Sequence, residues 1–194
     1  MMTRLAVLVS GSGRSVRNLL ELERAGDLAT ETVLVISSKA GVQALDHAAA
    51  FDVPTRVLKT AEITAALDDV LPDIVVMAGY LRRWPIPDHY VGKTINIHPS
   101  LLPRFGGKGF FGHHVHEAVL ASGTNVSGCT VHYVTANYDE GPIIAQRTVE
   151  VRPGDDAATL ADRVFEQELI LLPSCIRLVA EGDVRLEGGR AVFT

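Results

Sequence analysis

The feature that most constrains the fold of this chain is an alternation of short apolar runs with helical patterns through its first half. Residues 5–9 form an apolar run that ends at a glycine turn, and apolar residues then recur at helical spacing over 15–25. The alternation continues with apolar runs at 32–36, 53–58, 73–78 and 94–97 and helical patterns at 43–51 and 61–70. This order predicts an α/β fold: an open, mostly parallel twisted sheet with helices on both faces and a Rossmann-like N-terminal half.

The second half of the sequence has a different pattern. Residues 127–134 and 142–151 have the character of strands joined by a short polar turn, so we predict an antiparallel extension of the sheet in the C-terminal half. A long helix is expected over 159–180, followed by a small hairpin with strands at 184–186 and 191–193. A length of 194 residues suits a single domain.

Net charge and cysteine content narrow the classes of partner. The formal net charge is −5, so the chain has no basic excess with which to hold a nucleic-acid backbone. No apolar run approaches the length of a membrane span, which predicts no membrane partner. Cys129 and Cys175 lie far apart with no metal-ligand spacing, so we expect reduced thiols, no metal and a cytoplasmic setting.

The loops after residues 9, 78 and 97 are expected to surround one crevice, because ligands of such sheets bind outside the carboxyl ends of the strands. The first of these loops, SGSGRS at 10–15, is rich in glycine and opens a helix. Its backbone N–H groups and the helix dipole suit one phosphate group. It lacks the lysine of a Walker A loop and the third glycine of a dinucleotide fingerprint, so its glycines could equally serve the turn alone.

Two further segments offer groups for acyl transfer. Asn96 and His98 bracket one residue at the end of a predicted strand, so both side chains point to the same side. The amide can donate to a developing oxyanion, and the imidazole can stabilise that charge or move a proton near neutral pH. Asp139 lies in the turn between the two late strands, where a carboxylate could orient His98 and collect a proton. The alternative is structural: a loop-capping Asn and His, and a β-turn Asp.

Taken together, these segments resemble the folate-dependent formyltransferase family over residues 4–182. The segments that carry the resemblance are SGSG (10–13), AGYLR (78–82), NIHPSLLP (96–103), TVHYV (130–134), DEGPII (139–144) and RVFEQE (163–168). The resemblance implies a transferase that moves the formyl group of 10-formyltetrahydrofolate, a cosubstrate, to the amine of glycinamide ribonucleotide in de novo purine (IMP) biosynthesis.

The resemblance also implies roles for individual residues. Asn96 and His98 would bind the formyl oxygen as it becomes the oxyanion of a tetrahedral intermediate, and Asp139 would hold the imidazole and a water and assist proton transfer. His132 would face the same site. The implied contacts of the acceptor are Gly11, Ser12, Gly13 and Ser15 with the phosphate and Glu168 with the glycinamide end. The implied contacts of the folate are Leu81, Arg82, Arg83, Trp84, Asn96, Thr135 and Asp139.

By the same resemblance, residues 1–99 form the half that binds phosphate or nucleotide, and residues 100–194 form the folate-binding and catalytic half. The implied partners are small molecules, with no nucleic acid, membrane or metal. The implied assembly is a monomer or a homodimer.

The sequence departs from the family pattern at several places. Many members have Ser-Asn where this chain has Arg14-Ser15; Ser15 could still cap the helix or contact phosphate, and Arg14 could add charge. The segment 57–63 is short, and the glycine-rich stretch 104–114 is long enough to suit a mobile lid. Trp84 could either line the folate site or fill a gap in the core. These departures leave two alternatives: another amine acceptor, such as an amino sugar or a different nucleotide, and a non-catalytic folate or nucleotide binder.

Overall fold

The computed structural model describes residues 2–194. The strands are β1 (Thr3–Val9), β2 (Thr30–Ser37), β3 (Thr55–Val57), β4 (Ile74–Ala78), β5 (Thr94–His98), β6 (Val126–Tyr133), β7 (Ile143–Glu150), β8 (Val184–Glu187) and β9 (Arg190–Phe193). The α-helices are α1 (Arg14–Ala25), α2 (Gln43–Ala49), α3 (Ile63–Val70), α4 (His113–Ala121) and α5 (Ala157–Glu181).

Seven strands form one sheet in the order β3-β2-β1-β4-β5-β6-β7, and β8 and β9 form a separate hairpin. Neighbours from β3 to β5 pair in parallel, whereas β6 and β7 add to the sheet in antiparallel fashion. The predicted fold class, with its antiparallel extension, is therefore confirmed. The chain moves outward from β1 through β2 and β3 and then returns to β4 on the other side of β1. The loops after β1 and β4 consequently diverge and leave a crevice at the switch point.

The apolar run of β1 is continuous because both faces of the strand are covered. Leu5 and Val7 point into one buried cluster, which includes residues of α1, α2 and α5. Ala6 and Leu8 point into a second cluster, with α3 on the opposite face of the sheet. Residues 5–9 have no exposed surface at all. Helices on both faces thus explain why this strand does not alternate apolar and polar residues.

Three predicted element boundaries are corrected by the structure. β3 is shorter than the run 53–58, because it is an edge strand that pairs only with β2. The helix predicted over 61–70 begins as a 3₁₀ turn at Thr60–Glu62, where the Glu62 carboxylate accepts from the Lys59 N–H at 2.8 Å. The connection between β6 and β7 is a nine-residue loop over 134–142, rather than a short turn. Among the helices of residues 2–194, none combines the length and apolar character that crossing a membrane requires.

Candidate active site

A cavity of about 640 Å³ lies at the carboxyl ends of β1, β4 and β5, where the sequence places the crevice. Its walls are the loop after β1, the segment after β4, the glycine-rich stretch 107–113, the loop after β6 and one face of α5. The structure brings every predicted site residue to this cavity: Gly11, Ser12, Gly13, Ser15, Leu81, Arg82, Arg83, Trp84, Asn96, His98, Thr135, Asp139 and Glu168 all line it.

Strand β5 presents Asn96 and His98 on one face, as the two-residue period of a strand requires. Ile95 and Ile97, which alternate with them, are buried in the cluster on the other face. The Nε2 of His98 donates to the carbonyl of Phe105 at 2.8 Å. Because a carbonyl only accepts, this bond fixes the proton of the neutral ring on Nε2. The Nδ1 atom of His98 therefore carries a lone pair and lies 3.5 Å from the Asp139 Oδ2.

The carboxylate of Asp139 is anchored by one backbone N–H and lies beside two imidazoles. The N–H of Gly107 donates to its Oδ2 at 2.9 Å, and the Nε2 of His132 lies 3.6 Å from its Oδ1. The backbone of Asp139 has a φ of 55°, in the left-handed region, where Asp is among the more tolerant residues. Burial alone would raise the pKa of Asp139, but the neighbouring His132, His98 and Gly107 N–H hold it below its usual value. Asp139 is therefore a carboxylate at neutral pH.

The imidazole of His98 is buried and neutral by the same reasoning. Burial lowers its pKa below the ordinary 6.5, and the Asp139 carboxylate and the Phe105 carbonyl offset only part of that effect. The site thus places the neutral imidazole of His98 beside the ionised carboxylate of Asp139, an arrangement suited to proton transfer near neutral pH.

His132 orients the amide of Asn96. Its Nδ1 donates to the carbonyl of Tyr133 at 2.8 Å, so in the neutral ring Nε2 is an acceptor. The Nδ2 of Asn96 lies 3.0 Å from this Nε2 and donates to it. The amide nitrogen keeps a second hydrogen, and Asn96 borders the cavity. His132 itself also lines the cavity.

The glycine-rich loop is shaped by close packing. Gly13 has a φ of 69°, and a Cβ at this position would collide with Ala44 of α2. Gly13 is also the N-cap of α1 and supplies no side-chain cap. Ser15 lies within the first turn of α1, so the structure excludes the interpretation of Ser15 as the helix cap. The first-turn N–H groups of α1 consequently have no side-chain cap and lie at a loop that borders the cavity.

Glu168 borders the same cavity from α5. Burial raises the pKa of its carboxyl to about 7, and the positive charge of Arg14 lowers it only in part. Arg14 itself pairs with Asp162, with its Nη1 at 3.1 Å from Oδ1, and stacks on the ring of Phe165.

The segment after β4 forms another part of the cavity wall. Trp84 is 4% exposed, donates from Nε1 to the Thr64 hydroxyl at 3.2 Å and also borders the cavity, so it both fills the core and lines the site. Arg83 donates to the carbonyl of Ala136 at 3.1 Å and so ties the segment after β4 to the loop after β6. Arg82 is exposed at the rim.

Some atoms of the site have no signal in the sequence. The Phe105 carbonyl and the Gly107 N–H act through the backbone, and every residue type except proline offers both groups. Ser10 was also missed: its hydroxyl accepts from the Leu81 N–H at 3.1 Å and contacts the Ser38 hydroxyl at 2.7 Å. A serine directly after a buried strand, at a switch point, is the one signal that could have found it. Within residues 2–194, no group of three or more His, Cys, Asp or Glu side chains is placed to hold a metal ion.

Comparison with known proteins defines the class to which this fold and site belong. Residues 3–176 match the family model described as Formyl transferase. The chain therefore belongs to the formyl transferase family.

Individual relatives agree with this assignment. The chain is 42% identical over 200 residues to the trifunctional purine biosynthetic protein adenosine-3 of Bos taurus, covering 96% of this chain and 19% of that protein. It thus spans about a fifth of the length of this multifunctional relative. It is 35% identical over 190 residues to the chloroplastic phosphoribosylglycinamide formyltransferase of Vigna unguiculata, covering 92% of this chain and 61% of that protein.

The solved structures extend the likeness to the fold. Glycinamide ribonucleotide transformylase 1 from Symbiobacterium toebii superimposes with a TM-score of 0.91 at 35% identity, over 99% of this chain and 94% of that one.

Proposed function

We propose that this chain transfers the formyl group of 10-formyltetrahydrofolate to the amine of glycinamide ribonucleotide, a step of de novo purine biosynthesis. The observation that carries the proposal is the convergence of Asn96, His98 and Asp139 in one cavity. The glycine-rich loop and Glu168 border the same cavity. Relatives named for this activity support the choice of acceptor.

Asn96 and His98 act on the formyl oxygen. When the amine nitrogen bonds to the formyl carbon, the carbonyl electron pair moves to that oxygen. The free Nδ2 hydrogen of Asn96 donates to the oxyanion of the resulting tetrahedral intermediate. His98 stabilises the same charge once its Nδ1 has received the amine proton by way of Asp139, 3.5 Å away, and the Asp139 carboxylate, ionised again, favours that imidazolium.

Asp139 accepts the proton that the amine releases. Through a water, its carboxylate accepts the proton that the amine loses as the new C–N bond forms. The proton then passes to the folate nitrogen as the old C–N bond breaks, so the protein ends the cycle in its starting protonation state. The depressed pKa of Asp139 keeps it ionised and ready to accept at neutral pH.

The two substrates are assigned to opposite ends of the cavity. The acceptor phosphate lies on Gly11, Ser12, Gly13 and Ser15, and Glu168 contacts the glycinamide end. The folate occupies the end bounded by Leu81, Arg82, Arg83, Trp84 and Thr135, with Asn96 and Asp139 beside its formyl group. The division into a 1–99 half and a 100–194 half stays a prediction, because residues from both halves line the one cavity together.

The setting of the enzyme is part of the proposal. Cys129 and Cys175 are free, buried thiols, which suits a reducing cytoplasm. We assign it small-molecule partners and the folate as its only cosubstrate, in a monomer or homodimer.

The test is formyl transfer by purified protein with 10-formyltetrahydrofolate and glycinamide ribonucleotide, with an acceptor-free control. Turnover that requires the ribonucleotide is expected. Folate binding without transfer would overturn this acceptor and direct the search to amino sugars and other nucleotides. Failure with every amine, with both ligands still bound, would favour a non-catalytic binder.

A further inference from the structure

Arg14 occupies a distinctive position in the cavity wall. It is the first residue of α1, directly after the glycine-rich loop, and its side chain extends to α5. Phe165 and Glu168, on α5, border the cavity beside it. Arg14 is therefore a cationic side chain at the meeting point of the loop and the helix that bound the acceptor end.

The guanidinium of Arg14 is held in place by two contacts. Its Nη1 donates to the Asp162 Oδ1 at 3.1 Å, and its Cζ lies 3.7 Å from the centre of the Phe165 ring. Stacking on an aromatic face fixes the plane of a guanidinium. About half of the side chain is exposed, so this orientation is set while one edge stays accessible from the cavity.

The donors of Arg14 exceed what the protein uses. A guanidinium has five N–H groups, and the single hydrogen bond that it makes among residues 2–194 is the one to Asp162. A guanidinium binds a phosphate in bidentate fashion, with two parallel charge-assisted hydrogen bonds. Two neighbouring carboxyl groups compete only weakly with a phosphate for the Arg14 guanidinium. Asp162 is largely exposed, so water screens its charge, and Glu168 holds its proton up to about pH 7.

We propose that the guanidinium of Arg14 binds the phosphate of the acceptor together with the N–H groups of the loop at 11–13, and so selects a phosphorylated acceptor. The inference rests on the proposed function for the identity of that acceptor. The anion site itself stands on the placement of Arg14, Phe165 and the loop. Asp162 and Phe165 are positioning residues, because they orient the guanidinium of Arg14 before the ligand binds.

The test compares ribose 5-phosphate with ribose by isothermal titration calorimetry. The variants are Arg14→Gln, Arg14→Lys and the control Arg17→Gln, which removes the same charge from the same helix. Arg17 pairs with Glu21 and is absent from the cavity wall. Thermal unfolding of each variant checks the fold. Formyl transfer then gives KM and kcat for glycinamide ribonucleotide.

The wild type and Arg17→Gln are expected to bind ribose 5-phosphate but not ribose. Arg14→Gln should weaken that binding at least about tenfold, the loss expected for charge-assisted hydrogen bonds. The affinity of Arg14→Lys for ribose 5-phosphate should lie between those of the wild type and Arg14→Gln, because lysine keeps the charge and loses the two parallel N–H donors of the guanidinium. In Arg14→Gln the KM for the ribonucleotide should rise by the same factor, with kcat changed less than about threefold.

Three results would overturn this inference. Arg14→Gln could bind ribose 5-phosphate as tightly as the wild type, or Arg14→Gln and Arg17→Gln could lose the same affinity. The third is a wild type that does not bind ribose 5-phosphate. Ribonucleotide-dependent transfer with an unchanged KM in Arg14→Gln would overturn it while the proposed function stands. Binding of ribose 5-phosphate that depends on Arg14, without any transfer to the ribonucleotide, would overturn the proposed function and leave the anion site.

Discussion

Glu168 gives the sharpest prediction about energetics. Its carboxyl lies on α5, largely shielded from solvent at the wall of the cavity, and burial raises its pKa from 4.5 to about 7. The folded protein therefore keeps a proton that the unfolded chain has already lost between these two values. Because the folded state binds more protons there, the free energy of unfolding falls as pH rises from 4.5 to 7.

Glu168→Gln removes this dependence, since glutamine resembles the protonated carboxyl and cannot ionise. Each pH unit between the two pKa values corresponds to about 1.36 kcal/mol, so the variant should gain about 3 kcal/mol over the wild type above pH 7. Below pH 4.5 the two should be equally stable. For a chain of this size, the gain corresponds to a Tm about 6–12 °C higher at pH 8. This is an upper bound, because water and Arg14 can approach the carboxylate.

Urea unfolding of both proteins at intervals from pH 4.5 to 9 measures the difference directly. Taking the difference cancels the titration of all other groups. Glu166→Gln is the matched control, because Glu166 is exposed on the same helix, and its difference from the wild type should not change with pH. A Glu168→Gln difference that stays flat across this range would refute the assignment of a buried, protonated carboxyl.

Three further predictions concern the reacting groups and their support. Asn96→Ala should lower kcat by about 10²–10³ with little change in stability, as loss of one oxyanion donor does; unchanged turnover would remove the amide from the mechanism. Asp139→Asn should lower the already depressed pKa of His98 further, because the substitution removes a negative charge that raises this pKa. NMR titration of the imidazole measures the change, and a higher His98 pKa in the variant would contradict the prediction. Gly141→Ala should destabilise the protein by about 3 kcal/mol in urea unfolding, because its Cβ would collide with the Tyr133 carbonyl; unchanged stability would contradict that packing.

The sequence was sufficient where side-chain periodicity decides the structure. The continuous apolar run of β1 follows from burial on both faces, and the alternation in β5 places Asn96 and His98 on one face. The crevice followed from the strand–helix alternation alone, because the switch point is a consequence of topology.

The sequence was insufficient where backbone geometry decides the structure. Nothing in the residue types shows that the loop 134–142 brings Asp139 within 3.5 Å of His98, or that Gly107 donates to it. Resemblance to a family supplied that pairing in place of a physical derivation. Likewise, the Phe105 carbonyl fixes the tautomer of His98, and no pattern of side chains indicates it.

The change from parallel to antiparallel pairing at β5 explains how the amide of Asn96, the proposed oxyanion donor, is oriented. In the antiparallel register Asn96 pairs directly with His132, so the ladder between β5 and β6 places the imidazole where the amide can donate to it. Both residues lie on hydrogen-bonded strands, which fixes them before any ligand binds. Asp139 instead lies on a loop, with a positive φ and the Gly107 N–H as its anchor. The proposed oxyanion site is thus built into the sheet, whereas the proposed proton acceptor depends on how two loops meet.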